Sequence, residues 1–327
     1  MSTAAEKLSV TGILKDFRKL SSFSILMVLV LMFVIMMIVS PPFRTLSNFL
    51  SVVRLFVPIA IAGIGVMMVI ITGGIDLSLG SIYGFSGVVA ALAITRLNVP
   101  SVLGMVIGIV VSLLLGFCNG IFVVKVHLPP FVATLAMTSI VRGFCYITTK
   151  GFAVSGIPRD FFFLGQGYIL NVPVQIWVMI IIAIISGIFL SQTVTGRRIY
   201  ALGGNLEATR ISGINTSALL VLVYSICGMF AGMAGIITAS KLGIGQPTAG
   251  IGFELDAIAA TAIGGTSLSG GAGTVLGTII GAAIIGVLRN ALVLLSVSAY
   301  WQQPIIGLVI LFAVAADMAS KNRIKGN

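Results

Sequence analysis

Few residues in this chain are suited to chemistry. Asp76, Glu254 and Asp256 are the acids that stand beside apolar runs, and Arg142 and Arg289 are the bases near the ends of such runs. A charge at the centre of a bilayer costs about 2.5–3.5 kcal/mol on insertion scales, so each of these is a candidate for a role. Asp76 precedes Leu77-Ser78 at an apparent helix start, where capping is the plain reading. The other reading is a polar lining for a solute path, formed by Asp76, Ser78, Asn119, Glu254, Asp256 and Asn290. Asn119 and Asn290 lie within apolar runs and have the donors and acceptors to bind a hydroxylated solute. For the two arginines the simpler expectation is snorkelling toward the headgroups.

Enzymatic chemistry fits poorly. Magnesium-diphosphate work needs clustered aspartates, and these acids are single or two residues apart. The one histidine, His127, sits beside Pro129-Pro130 at a membrane edge, a poor place for a serine's general base. Leu268-Ser269-Gly270-Gly271 reads like an ATPase signature, yet no G-x-x-x-x-G-K-[ST] phosphate loop exists. Gly271, Gly273 and Gly277 miss the dinucleotide spacing by one residue. Cys118, Cys145 and Cys227 are an odd set inside apolar runs and suit neither a disulfide framework nor zinc. The chain is expected to be no enzyme and to hold no metal.

The elements that must position these residues are membrane spans. Apolar residues make up 58% of the 327 and charged ones 8%, with a mean hydropathy of +1.18. A soluble surface needs about 25% charge, so most of this surface faces lipid. The net charge of +11 then marks spans flanked by basic residues near anionic lipid, not nucleic-acid binding. Helical runs long enough for a ~30 Å core are 23–40, 52–72, 79–95, 101–124, 130–149, 174–192, 217–239, 274–296 and 303–318, with a shorter apolar piece at 255–263. The first leads into Ser40-Pro41-Pro42 and reads as an uncleaved span, not a signal peptide. The fold class is therefore all-α, a polytopic bundle.

Basic residues in 1–22 (Lys7, Lys15, Arg18, Lys19) and in 319–327 (Lys321, Arg323, Lys325) put both tails in the cytoplasm, which requires an even count of crossings. Counting 255–263 as a short or broken span gives about ten within 23–318. The loop 193–216, with Arg197, Arg198 and Arg210, then also lies inside. It contains a helix with legible ends: Asn205 as N-cap, Glu207 in the first turn, Gly213 just beyond the end. A capped helix exposing Glu207 and Arg210 is a natural docking knob for another subunit. Glycines four apart (Gly104/Gly108, Gly228/Gly232, Gly273/Gly277/Gly281) predict close helix packing. Gly73–Gly80 also echoes Gly264–Gly271, and paired Gly-interrupted segments point to a translocation path.

Several motifs carry a resemblance. Gly73-Gly74-Ile75-Asp76-Leu77-Ser78, Asn119-Gly120, Pro130-Phe131-Val132-Ala133-Thr134-Leu135, Ala201-Leu202-Gly203-Gly204-Asn205 through Ser212-Gly213-Ile214, Gln246-Pro247, Phe253–Ala260 and Gly264–Gly271 run in order along the chain. In these it resembles the permease subunit of the ribose-type (carbohydrate uptake) family of bacterial ABC importers, over about 45–318. The resemblance implies import of a monosaccharide by alternating access across the bacterial inner membrane. It implies three partners: a cytoplasmic ABC ATPase, a periplasmic sugar-binding protein, and a second permease, copy or paralogue. It implies that Gly204, Asn205, Glu207, Ala208, Arg210 and Gly213 couple to the ATPase, and that ATP binds that partner, leaving this chain without a cofactor. Thr209 departs from the family, where alanine is common. An ion-coupled secondary sugar transporter is the alternative. Arg44, Arg54 and Arg159, on the face opposite the loop, are expected to steer an acidic rim of the binding protein.

Overall fold

The structure is a computed structural model and describes residues 22–298, 300–302, 304–308 and 311. The tails 1–21 and 319–327, and most of the expected span 303–318, lie outside the described residues.

The continuous apolar runs become helices because backbone groups in lipid must be satisfied within the segment. They are α1 (Ser22–Val39), α2 (Leu46–Ile71), α3 (Leu79–Leu97), α4 (Ser101–Lys125) and α5 (Pro130–Thr149). After a one-turn α6 (Phe163–Gln166) and a small antiparallel hairpin of β1 (Tyr168–Ile169) and β2 (Val172–Pro173) comes α7 (Val174–Gln192). Then follow α8 (Val194–Gly204), α9 (Leu206–Ile211), α10 (Thr216–Leu242), α11 (Phe253–Ile263) and α12 (Val275–Leu294). Seven of these, α2, α3, α4, α5, α7, α10 and α12, are long and apolar enough to cross a membrane.

The 255–263 piece is the helix α11, and its 11 residues reach only about 16 Å at 1.5 Å per residue, half a hydrocarbon core. It is preceded by the non-helical stretch 243–252, in which Gly243, Gly250 and Gly252 take the left-handed backbone open to glycine.

Helix α2 is the most enclosed span, and α10 packs on it and on α3 and α4. Small residues make these approaches possible. Along α4, Gly104 and Gly108 face α3, where a β-carbon on Gly108 would meet the Ser86 carbonyl oxygen at 2.7 Å. Gly116 and Gly120 face α10, and a β-carbon on Gly120 would lie 2.7 Å from the Val221 α-carbon. Cys145 and Cys227 are buried, but Cys118 is exposed. An apolar run places a cysteine in a helix without saying which face it takes, and Cys118 falls on the outward one.

Candidate functional site

The two ends of the bundle differ. One carries α8, α9 and the loops that follow α2 and α11; the other carries the β-hairpin. At the first end, Asn205 stops α8 by leaving helical backbone and starts α9, its side chain accepting from the Ala208 N–H at 2.9 Å. Gly213, with φ of +76°, follows the helix. Glu207, Ala208 and Arg210 are exposed, while Thr209 is buried and donates to the Asn205 carbonyl at 2.8 Å. The hydroxyl thus secures the first turn where an alanine would only fill space.

Helix α8 is wedged against both Gly-Gly loops. A β-carbon on Gly203 would lie 2.6 Å from Gly271 N and 2.8 Å from the Ile71 carbonyl carbon, and closer still to that carbonyl's oxygen. Gly204, its neighbour, faces open space. The two echoing segments meet there, with Gly271 N–H donating to Ile71 O at 2.9 Å. Tyr200 donates to Gly273 O at 2.8 Å. Burial raises the pKa of the Tyr200 hydroxyl, so it stays a donor. Helix α8 therefore links α9 to the loops after α2 and α11 through direct backbone contact.

The six expected path residues separate into four places. Asp76, Ser78 and Asn119 join in one buried relay: Asn119 Nδ2 donates to Ser78 Oγ at 2.7 Å, and Ser78 Oγ donates to Asp76 Oδ1 at 2.6 Å. The Ser78 N–H also donates to Asp76 Oδ1, at 2.8 Å, so the carboxylate organises the entry to α3. Asp76 Oδ2 and Asn119 Oδ1 are buried with no partner of hydrogen-bond geometry among the described residues. Asp256 is paired with Arg289 at 2.6 Å, joining α11 to α12. Asn290 exchanges two amide hydrogen bonds with Asn48, at 3.1 and 2.9 Å, joining α12 to α2. Glu254 stands apart, half-buried, with its carboxylate against Gly80.

Neither candidate arginine snorkels, which corrects that expectation. Arg289 has its carboxylate, and Arg142 donates to the carbonyls of Pro247 (2.6 Å), Ala249 (2.8 Å) and Gly80 (3.3 Å). Each cation finds acceptors inside the protein, which removes the reason to reach for the interface. At the hairpin end, the Arg54 guanidinium lies over the Tyr168 ring and donates to its hydroxyl, and Arg44 donates to Met37 O at 2.6 Å. Arg159 is exposed nearby, in the short turn before α6.

Comparison with known proteins gives this geometry its context. Residues 48–314 match the family described as branched-chain amino acid transport system / permease component. The chain belongs to this family. Among curated proteins it is 41% identical to the ribose import permease protein RbsC of Haemophilus influenzae, over 88% of this chain and 90% of that one. It is 42% identical to RbsC of Escherichia coli K12, over 89% and 92%, and 34% identical to the L-arabinose ABC transporter permease protein AraH of Azospirillum brasilense, over 91% and 88%. No solved structure matches. With seven membrane-capable helices among the described residues and this family membership, the chain is an integral membrane protein.

Sequence reasoning missed several residues at the site. Asn48 and Tyr200 sit far in sequence from their partners, and nothing local marks them. Gly203 was visible only as part of a motif. Arg142 is visible as a charge in an apolar run, but two of its carbonyl partners lie about a hundred residues downstream and the third, Gly80, lies 62 residues upstream.

Proposed function

We propose that this chain is the permease subunit of an ATP-driven importer that brings a monosaccharide, ribose-like or related, across the bacterial inner membrane. The observation that carries the reading is the near full-length likeness to ribose and arabinose import permeases. The wedge of α8 between the two Gly-Gly loops supplies a mechanical route for it. Both termini face the cytoplasm in this reading, and the chain crosses the membrane in about ten spans, α11 and the stretch before it together counting as one broken span. The segment 193–216 is then the cytoplasmic coupling loop, and α9 is the coupling helix.

The partners are a cytoplasmic ABC ATPase that grips Gly204, Asn205, Glu207, Ala208, Arg210 and Gly213, and a periplasmic sugar-binding protein that meets the hairpin end. ATP is bound by the ATPase. A second permease copy or paralogue faces the surface that carries Glu254. That surface joins a half-buried carboxylate to exposed Ile251, Leu255 and Thr248, and a carboxylate is poorly placed against lipid alone. Glu254 lines the path there, while Asp76, Ser78 and Asn119 order the entry to α3 and Asp256 and Asn290 tie α11 and α2 to α12 around it. Closure of the ATPase pair pushes α9. Gly203 and Tyr200 pass the push to the loops 72–78 and 264–274, which reseal one side of the path as the other opens.

The deciding assay is sugar-stimulated ATP hydrolysis and uptake by the complex reconstituted with its ATPase and binding protein. A Glu207→Ala/Arg210→Ala chain is expected to lose sugar stimulation while basal hydrolysis persists. Coupling equal to the parent refutes the role of α9, and uptake by this chain alone, driven by an ion gradient without ATP, refutes the importer reading.

A further inference from the structure

The stretch 243–252 is non-helical backbone beside a membrane helix. Gly245 lies against Ala91, where a β-carbon on the glycine would come within 2.7 Å. Gly250 lies against Gly80, where a β-carbon on Gly80 would meet the Gly250 carbonyl oxygen at 2.5 Å. The stretch therefore descends along α3 from residue 91 to residue 80, about 16 Å of depth at 1.5 Å per residue. Backbone carbonyls there need partners, since neither lipid nor a helix ladder supplies them.

The partners are found at both ends. At the hairpin end Gly245 pairs with Val154 through two backbone hydrogen bonds of 2.9 Å. At depth, the carbonyls of Pro247 and Ala249 are taken by one nitrogen of Arg142, whose other terminal nitrogen reaches Gly80 O. The planar guanidinium can hold three carbonyls on two segments at once, which an ammonium on a flexible stem does poorly. Glu254 follows directly on this stretch.

We infer that Arg142 is a positioning residue of the solute path, clamping the stretch 243–252 against Gly80 and Gly84 of α3 and so setting where Glu254 stands. The inference deepens the importer reading and rests on it for the role of Glu254. The same clamp joins the hairpin-end loop, through Val154 and Gly245, to the acid in the path. It gives the outer surface a backbone connection to the interior that does not pass through α9.

The test uses the full chain in membrane vesicles, with Cys118 changed to Ser and Ala249→Cys introduced as a reporter. Ala249 is half-buried and packs against the core while the stretch is in place. With Arg142→Lys, which keeps the charge and gives up the fork, labelling of the reporter by a hydrophilic maleimide should rise about tenfold, the population shift that follows loss of one hydrogen bond to a charged group. Uptake should fall in parallel, while Arg142→Lys still binds the ATPase. Labelling equal to the parent overturns the clamp, because a residue acting only through its charge would leave the stretch in place. If Arg142→Lys does not accumulate, Gly250→Ala decides. Its β-carbon would meet the Tyr83 ring at 2.8 Å and lift the stretch with Arg142 intact, so unchanged labelling there also overturns the placement. Labelling needs no sugar, so a chain that labels as expected but shows no uptake in the parent refutes the importer reading and leaves the clamp standing.

Discussion

Gly203→Ala is the sharpest perturbation of the proposed coupling. The added β-carbon would lie 2.6 Å from Gly271 N and 2.8 Å from the Ile71 carbonyl carbon, with the oxygen of that carbonyl nearer still. All three are backbone atoms, so no side chain can swing away to admit it. Either α8 withdraws from the two loops by roughly an ångström, or the loops part from each other; overpacking of this kind costs about 1–3 kcal/mol. Withdrawal also stretches the Tyr200 bond to Gly273, now 2.8 Å, toward the limit of a useful hydrogen bond. The expected result is a complex that still binds its ATPase through α9 but transmits little, with sugar-stimulated hydrolysis falling about tenfold for each ~1.4 kcal/mol of lost coupling. Gly187→Ala on α7 is the control, because its β-carbon enters open space away from the coupling segment; it should retain coupling within about twofold. Both proteins are assayed in proteoliposomes for basal and sugar-stimulated hydrolysis, alongside pull-down of the ATPase. A coupled Gly203→Ala protein, or a Gly187→Ala protein equally impaired, would show that the wedge does not transmit.

Two further expectations concern the charged residues. Arg289→Met leaves Asp256 buried without its cation, and breaking such a pair costs about 3–5 kcal/mol. The double change Asp256→Leu/Arg289→Met should recover most of that loss in the thermal unfolding midpoint in detergent, and equal midpoints for single and double variants would remove the pair from the account. At the hairpin end, reversing charge at Arg44, Arg54 and Arg159 should slow binding-protein-dependent uptake, most at low salt where steering is strongest. Unchanged uptake with unchanged salt dependence would dismiss steering.

What the sequence determines by itself is whatever rests on local composition. Apolar runs without interruption become helices because lipid offers no alternative partner for the backbone, so nearly every expected span within the described residues coincides with a helix. The start of α9 at Asn205 is legible for the same local reason, since one side chain caps a turn three residues ahead. Glycines four apart announce close packing, though not which helix comes close. Pairing belongs to the tertiary structure. Asn290 meets Asn48 and Asp256 meets Arg289 only when α12 folds against α2 and α11. Arg142, a lone cation by sequence, becomes a donor to three carbonyls only because the stretch 243–252 returns along α3 instead of forming a helix. The two Gly-Gly motifs are an echo in sequence, but folding brings them together and sets Gly203 against both. Local rules assign each residue a conformation; only the packed bundle decides which distant backbone atoms it must satisfy.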